Sequence, residues 1–174
     1  SVSIAASSNP FCIGTSVAFS AAAVNGGPLA AYQWKVNGTN AGANSSTFTY
    51  NPVTGDAVAC ILTSSLQCVS GSPASSNSIV MTGTPGLPAS VAIAANPNPF
   101  CPGSPVAFTA APGNGGAAPA FQWKVNGANA GSNAPTFVYN PSDHDSVRCV
   151  MTSNLACVSS NPALSNKIVL SGSL

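Results

Sequence analysis

The stretch YQWKVNG, Tyr32 to Gly38, returns as FQWKVNG at Phe121 to Gly127, 89 positions on. The same shift overlays residues 4–83 on 93–172 without a gap, and well over half of the aligned positions are identical. NPFCIGTSVAF (9–19) meets NPFCPGSPVAF (98–108), TFTYNPVTGDAVAC (47–60) meets TFVYNPSDHDSVRC (136–149), and SNSIVMTG (76–83) meets SNKIVLSG (165–172). A period this long carries a whole small domain rather than one layer of a solenoid. It predicts domains at 1–84 and 89–174 joined by residues 85–88. The sequence around that joint, TPGLP from Thr84 to Pro88, holds two prolines and predicts a short, stiff connector between modules stacked end to end.

Neither copy contains an apolar run at helical spacing. Short alternating runs broken by Gly, Pro and Asn take its place: Val17, Phe19 and Ala21; Tyr32, Trp34 and Val36; Phe48 and Tyr50; Val58, Cys60 and Leu62; Ile79 and Met81. Period-two alternation marks strands with one buried face. About seven such strands in a copy of this length predict an all-β chain of two tandem immunoglobulin-like β-sandwiches. In this frame Trp34 and Trp123 are core anchors, each worth about 2–3 kcal/mol of burial. Asn37-Gly38 suits the positive φ angles of a tight hairpin.

Charged residues make up 4% of the chain, with net charge +1 and no Glu. That balance excludes the basic footprint of nucleic-acid binding. No stretch of 18 apolar residues spans a membrane. Hydrophobic content of 45% in patterned runs argues against disorder. A surface of Ser, Thr, Asn and Gly carries little repulsion between molecules and suits an assembly or a glycan-covered setting. Six cysteines in so uncharged a chain point to an oxidising, extracellular compartment. Ser1 is read as a mature or internal start.

Each copy has three cysteines, Cys12, Cys60 and Cys68 in the first and Cys101, Cys149 and Cys157 in the second. An odd number leaves one per domain without an internal partner if the other two pair. The segment Asp56-x-Val58-x-Cys60 resembles the start of an immunoglobulin strand F, with Cys60 at the corner-tyrosine position. This alignment favours Cys12–Cys60 and Cys101–Cys149, each worth about 2–4 kcal/mol. Cys68 and Cys157 are then candidates for interdomain or intermolecular bridges. The rival pairing, Cys12–Cys68 with Cys60 a buried thiol, stays open.

A site used by both copies must use residues present in both. The shared set is Gln33/Gln122, Lys35/Lys124, Tyr50/Tyr139, Asp56/Asp145 and several Asn and Ser. Lys35 and Asp56 are expected to form at most a rim ion pair. The single His, His144, sits in SDHDS; Asp143-His144-Asp145 is read as a polar loop ahead of a metal trio. The first copy lacks a His and owns one acid, so neither a hydrolytic triad nor a carboxylate pair is available to it. No catalytic residue, cofactor or metal is expected. Asn37-Gly38-Thr39 and Asn44-Ser45-Ser46 fit the N-glycosylation pattern, and Asp145-Ser146-Val147 an O-glycosylation one, but all three are taken as chance matches.

The combined pattern is C-x-G-x-x-V-x-F from Cys12 to Phe19, YQWKVNG-x-x-x-G from Tyr32 to Gly42, GD-x-V-x-C-x-L-T-S from Gly55 to Ser64, then Cys68 and SN-x-I from Ser76 to Ile79. It resembles the Ig-like/PKD-like repeats of secreted and surface proteins of Bacteroidetes. That resemblance implies extracellular arrays such as adhesins, gliding-associated proteins and enzyme appendages, often exported through the type IX system, with this chain one piece of a longer array. The leading expectation is a non-enzymatic structural repeat of a surface adhesin or fibre, with neighbouring repeats or like subunits as partners. The runner-up is a carbohydrate-binding module, a surface glycan meeting Phe11/Phe100 or Tyr50/Tyr139.

Overall fold

The computed structural model describes residues 1–173; Leu174, the end of the second expected domain, lies outside the described residues. The chain forms two compact units, Ser1–Pro85 and from Gly86 onward.

Unit 1 contains β1 (Val2–Ala6), β2 (Phe11–Cys12), β3 (Val17–Ala23), β4 (Ala31–Val36), β5 (Thr39–Ala41), β6 (Thr47–Tyr50), β7 (Ala57–Thr63), β8 (Ala74–Ser75), β9 (Ile79–Val80) and β10 (Gly83–Thr84). One sheet runs β1-β3-β6 and the other β5-β4-β7-β8, with β9 also on β7. The neighbours in both are antiparallel. The inward positions follow the alternation: Val17, Phe19, Trp34, Val58, Cys60 and Met81 are buried in one core, with Tyr32, Val36, Phe48 and Tyr50 packed against it. The hairpin between β4 and β5 turns on Asn37 (φ 52°) and Gly38 (φ 80°), the left-handed pair that a two-residue turn requires.

Unit 2 repeats this plan with β11 (Leu87–Pro88), β12 (Ser90–Asn96), β13 (Val106–Gly113), β14 (Ala120–Val125), β15 (Ala128–Ala130), β16 (Thr136–Tyr139), β17 (Ser146–Thr152), β18 (Val158–Ser159), β19 (Ala163–Leu164) and β20 (Ile168–Val169). Its sheets are β12-β13-β16 and β15-β14-β17-β19, with β20 on β17.

Two expectations change. Half of the segment read as a connector, 85–88, is strand: Leu87 and Pro88 pair in parallel with Val158 and Ser159, and just before it Gly83 and Thr84 pair with Phe11 and Cys12. Only Pro85 and Gly86 lie between those pairings. The last strand of each sandwich is also split. β8 and β9 both pair with β7, and between them Ser76 occupies Cys60: the Cys60 amide donates to Ser76 Oγ at 2.9 Å and the Ser76 amide to the Cys60 carbonyl at 2.9 Å. Asn77 is thereby free to reach the other sheet. Its Oδ1 accepts from the Ile4 amide at 2.8 Å and its Nδ2 donates to the Ile4 carbonyl at 3.2 Å. Asn166 does the same to Ile93, at 2.8 and 3.1 Å. A side-chain amide copies a backbone ladder step and ties the two sheets of each sandwich together.

Candidate functional site

The residues common to both units build a framework. Trp34 and Trp123 are fully buried. Each ring stacks on the Phe of the neighbouring sheet, Phe48 at 5.6 Å and Phe137 at 5.6 Å between centroids. Each indole N–H donates to a carbonyl at 2.9 Å, that of Ser45 or Ala134, so the polar edge is satisfied. The rings continue through Phe48–Tyr50 and Phe137–Tyr139 at 5.0 and 5.1 Å.

Each stack ends on an aspartate at the corner before strand β7 or β17. Asp56 accepts from Asn37 Nδ2 (2.8 Å), the Val53 amide (2.9 Å) and the Tyr50 hydroxyl (3.2 Å). Asp145 accepts from Asn126 Nδ2 (2.7 Å), the Ser142 amide (2.8 Å) and the Tyr139 hydroxyl (3.3 Å). The Val53 amide is the main reason the Asp56 carboxyl lies below its usual range, and Asn37 and Tyr50 add to it. At Asp145 burial opposes ionisation, but the three donors outweigh it and its pKa also falls. Burial, then the Asp56 charge, pushes the Tyr50 hydroxyl up to about 12, and Tyr139 rises for the same reasons. Each carboxylate accepts from three donors and is held as the structural acceptor of its corner.

The cysteines correct the expected pairing. Cys60 and Cys149 are buried free thiols, so neither Cys12–Cys60 nor Cys101–Cys149 forms. The physical reason is register. Cys60 lies in the middle of β7 directly opposite Trp34, and Cys149 opposite Trp123. It points into the core, and the corner position to which it was aligned is served by Tyr50 and Asp56 instead. Burial pushes both thiols up, which suppresses the reactive thiolate. Cys68 and Cys101 are exposed free thiols, which also excludes Cys12–Cys68. Cys12 and Cys157 are disulfide-bonded.

Other sequence candidates fall apart or become structural. Lys35 does not meet Asp56; its Nζ donates to Asn40 Oδ1 at 2.8 Å and to the Gly38 carbonyl at 3.2 Å. His144 is 85% exposed, and its Nδ1 lies 2.9 Å from Asp143 Oδ2. Asp145 turns to its own corner, and among the described residues no group of three potential ligands is assembled. Phe11 and Phe100 are buried and present no face to a sugar, and Tyr50 and Tyr139 are part-buried at the ends of the ring stacks. Asn37 and Asn44 fitted a glycosylation pattern, but their amides serve the fold: Asn37 Oδ1 accepts from Ala57 at 2.9 Å and Asn44 Oδ1 from Tyr32 at 2.7 Å.

No family model matches the chain. No curated protein matches it. Solved structures do. A chain of the complex between a mouse coronavirus receptor-binding domain and its murine receptor is 11% identical, covering 99% of this chain and 100% of that one, with a TM-score of 0.51. The fibronectin(III)-like modules of Clostridium thermocellum CbhA are 14% identical over 97% of this chain and 94% of theirs, with a TM-score of 0.45. The mouse nectin-like molecule 4 ectodomain is 14% identical over 98% of this chain, with a TM-score of 0.38, and this chain spans 63% of its length. Among the described residues no helix is long and apolar enough to cross a membrane. By strand order, supported by the likeness at a TM-score of 0.51, the two units are tandem immunoglobulin-like β-sandwiches.

Proposed function

We propose that this chain is a non-enzymatic structural element of an extracellular fibre or surface adhesin array, of the kind its resemblance to Bacteroidetes repeats implies, in which successive copies of the chain are joined by disulfides. The observation that carries this reading is the complementary state of equivalent cysteines. Cys12 and Cys101 are the same position in the two repeats, and so are Cys68 and Cys157. Cys12 and Cys157 are oxidised, whereas Cys101 and Cys68 are exposed thiols. Each position therefore occurs once bonded and once open. Cys101 of one copy and Cys68 of the next make the missing pair. Cys101 and Cys68 are different positions, so a single join leaves one thiol open on each partner and can propagate head-to-tail, whereas two reciprocal joins between the same two copies would close a twofold dimer and give no ladder.

The bond needs an oxidant, here a low-molecular-weight disulfide. The Cys101 thiolate attacks one of its sulfurs and expels a thiolate. The Cys68 thiolate of the next copy then attacks Cys101 Sγ and expels the other. Two protein thiols and one disulfide become one protein disulfide and two small thiols.

The test is oxidation of the purified chain with glutathione disulfide. A ladder on non-reducing gels, collapsing with reductant, and a mapped Cys68–Cys101 peptide are expected. Negative-stain images should show elongated rods. Cys101→Ser should abolish the ladder and leave the chain monomeric, with Cys68 capped by glutathione. A chain that stays monomeric with both thiols capped by glutathione, or that links only Cys68 to Cys68, overturns the reading.

A further inference from the structure

We infer that unit 2 carries a binding pocket for a tetrahedral oxyanion, a sulfate or phosphate group, that unit 1 lacks. A half-open cavity of about 250 Å³ is lined by Lys124, Gly127, Ser146, Arg148 and Lys167. Three of the four cations of the whole chain meet there. Lys124 and Arg148 are direct cross-strand partners on β14 and β17. Like charges in that relation repel and destabilise a sheet unless an anion lies between them. Among the described residues none of the three forms an ion pair with a carboxylate; the ion pair present is His144–Asp143. Asp145, next to Ser146 in the chain, has its oxygens turned to Asn126, Tyr139 and Ser142.

The donors are held but not used up. Lys124 Nζ is steadied by Asn129 Oδ1 at 2.7 Å, and Arg148 donates one Nη1 bond to the Ser165 carbonyl at 3.3 Å. The Ser146 hydroxyl is engaged with Asn126 Oδ1 at 3.3 Å, but the rest of the guanidinium fork and the two ammoniums remain for a ligand, and a guanidinium fork matches two oxygens of a sulfate or phosphate. The cavity is larger than one oxyanion and leaves room for the organic group of an ester.

Unit 1 supplies the control. The equivalent positions hold Lys35, Gly38, Ala57, Ala59 and Ser78. The lysine and glycine are kept and two cations are missing, with the hydroxyl moved from the Ser146 position to Ser78. The substitutions Arg148→Ala and Lys167→Ser place in unit 2 the residues that unit 1 carries on the same strand framework, so they test binding with the fold retained.

The experiment is a titration of the full ¹⁵N-labelled chain, followed by amide shifts, with inorganic sulfate, inorganic phosphate, glucose 6-sulfate and glucose 6-phosphate, against neutral glucose. Saturable shifts at Gly127, Ser146, Arg148 and Lys167 are expected, with Gly38, Ala57, Ala59 and Ser78 silent. Tighter binding of the esters assigns the pocket to an esterified ligand, and equal binding to the free oxyanion. The double variant should weaken binding at least tenfold, and added sodium chloride should weaken it in the parent. No saturable shift with any oxyanion, an equal response to glucose, or undiminished binding by the double variant overturns the inference.

Discussion

Unit 1 and unit 2 agree inside and diverge outside. Trp34 and Trp123, Phe19 and Phe108, Cys60 and Cys149, and Asp56 and Asp145 have the same partners in both. The surfaces differ sharply in charge. Unit 1 holds Lys35 and Asp56 alone among Lys, Arg, Asp, Glu and His, and unit 2 holds the other six such residues. Close packing explains the first half of the contrast, because a core position that changes volume is felt by every neighbour. An exposed position has no such constraint, so new chemistry accumulates there.

The comparison breaks most visibly at the indoles. Trp34→Ala should cost unit 1 about 3–5 kcal/mol, a large share of what so small a sandwich has. The Trp123 indole N–H resonance should persist in that variant, and Trp34's should persist in Trp123→Ala. Loss of both resonances in either variant would show that the two units unfold as one.

A smaller loss is expected at the amide clamps. Asn77→Ala leaves the Ile4 amide and carbonyl without their partner and should destabilise unit 1 by about 1–3 kcal/mol in urea unfolding. Asn166→Ala should do the same for unit 2 through Ile93. An unchanged midpoint would mean that water replaces the clamp.

What was legible in the sequence follows from which physics is local. Alternation exposed the strands, and the repeat exposed the duplication, because burial on one face of a sheet leaves a period of two. Asn37-Gly38 announced its turn, since few other pairs accept those φ angles. The clamp was not legible, although Ser-Asn stands in both copies at 76–77 and 165–166. A polar pair in a Ser/Asn-rich chain looks like loop until its partner strand is known. Cysteine pairing failed for the same reason: a shift of a few residues along β7 separates a corner position from a core position facing Trp34. The cationic pocket joins Lys124, Arg148 and Lys167 from distant segments, and only the sheet register brings them together.

The corner network should shape stability at both ends of the pH scale. Asp56 has a lowered folded pKa, so its contribution is present above the unfolded value near 3.8 and is lost as pH falls through the folded one. Tyr50 has a raised folded pKa, so its contribution is present below the unfolded value of 10.0 and is lost as pH rises towards about 12. Asp56→Asn should flatten the acid limb of unit 1 and Tyr50→Phe its alkaline limb, followed by unfolding midpoints across pH. Asp145 and Tyr139 supply the matching limbs of unit 2, so a single variant should leave the other unit's profile in place.

The smallest effect isolates the charge difference between the units. Arg148 faces Lys124 across β14 and β17, and in unit 1 Ala59 faces Lys35 across β4 and β7. Without added anion at low salt, Arg148→Ala should be neutral to stabilising by up to about 1 kcal/mol, since it removes a like-charge pair. Ala59→Arg should cost unit 1 a similar amount. Both changes should shrink in concentrated sodium chloride, where the Debye length falls to about 3 Å near 1 M. Saturating oxyanion should reverse the sign for Arg148→Ala alone, because a ligand held by the native pocket stabilises only the folded chain that can bind it. If Arg148→Ala destabilises unit 2 at low salt with no anion present, the guanidinium serves packing through its methylene stem and its bond to Ser165, and the repulsion between the two strands is too weak to call for an anion.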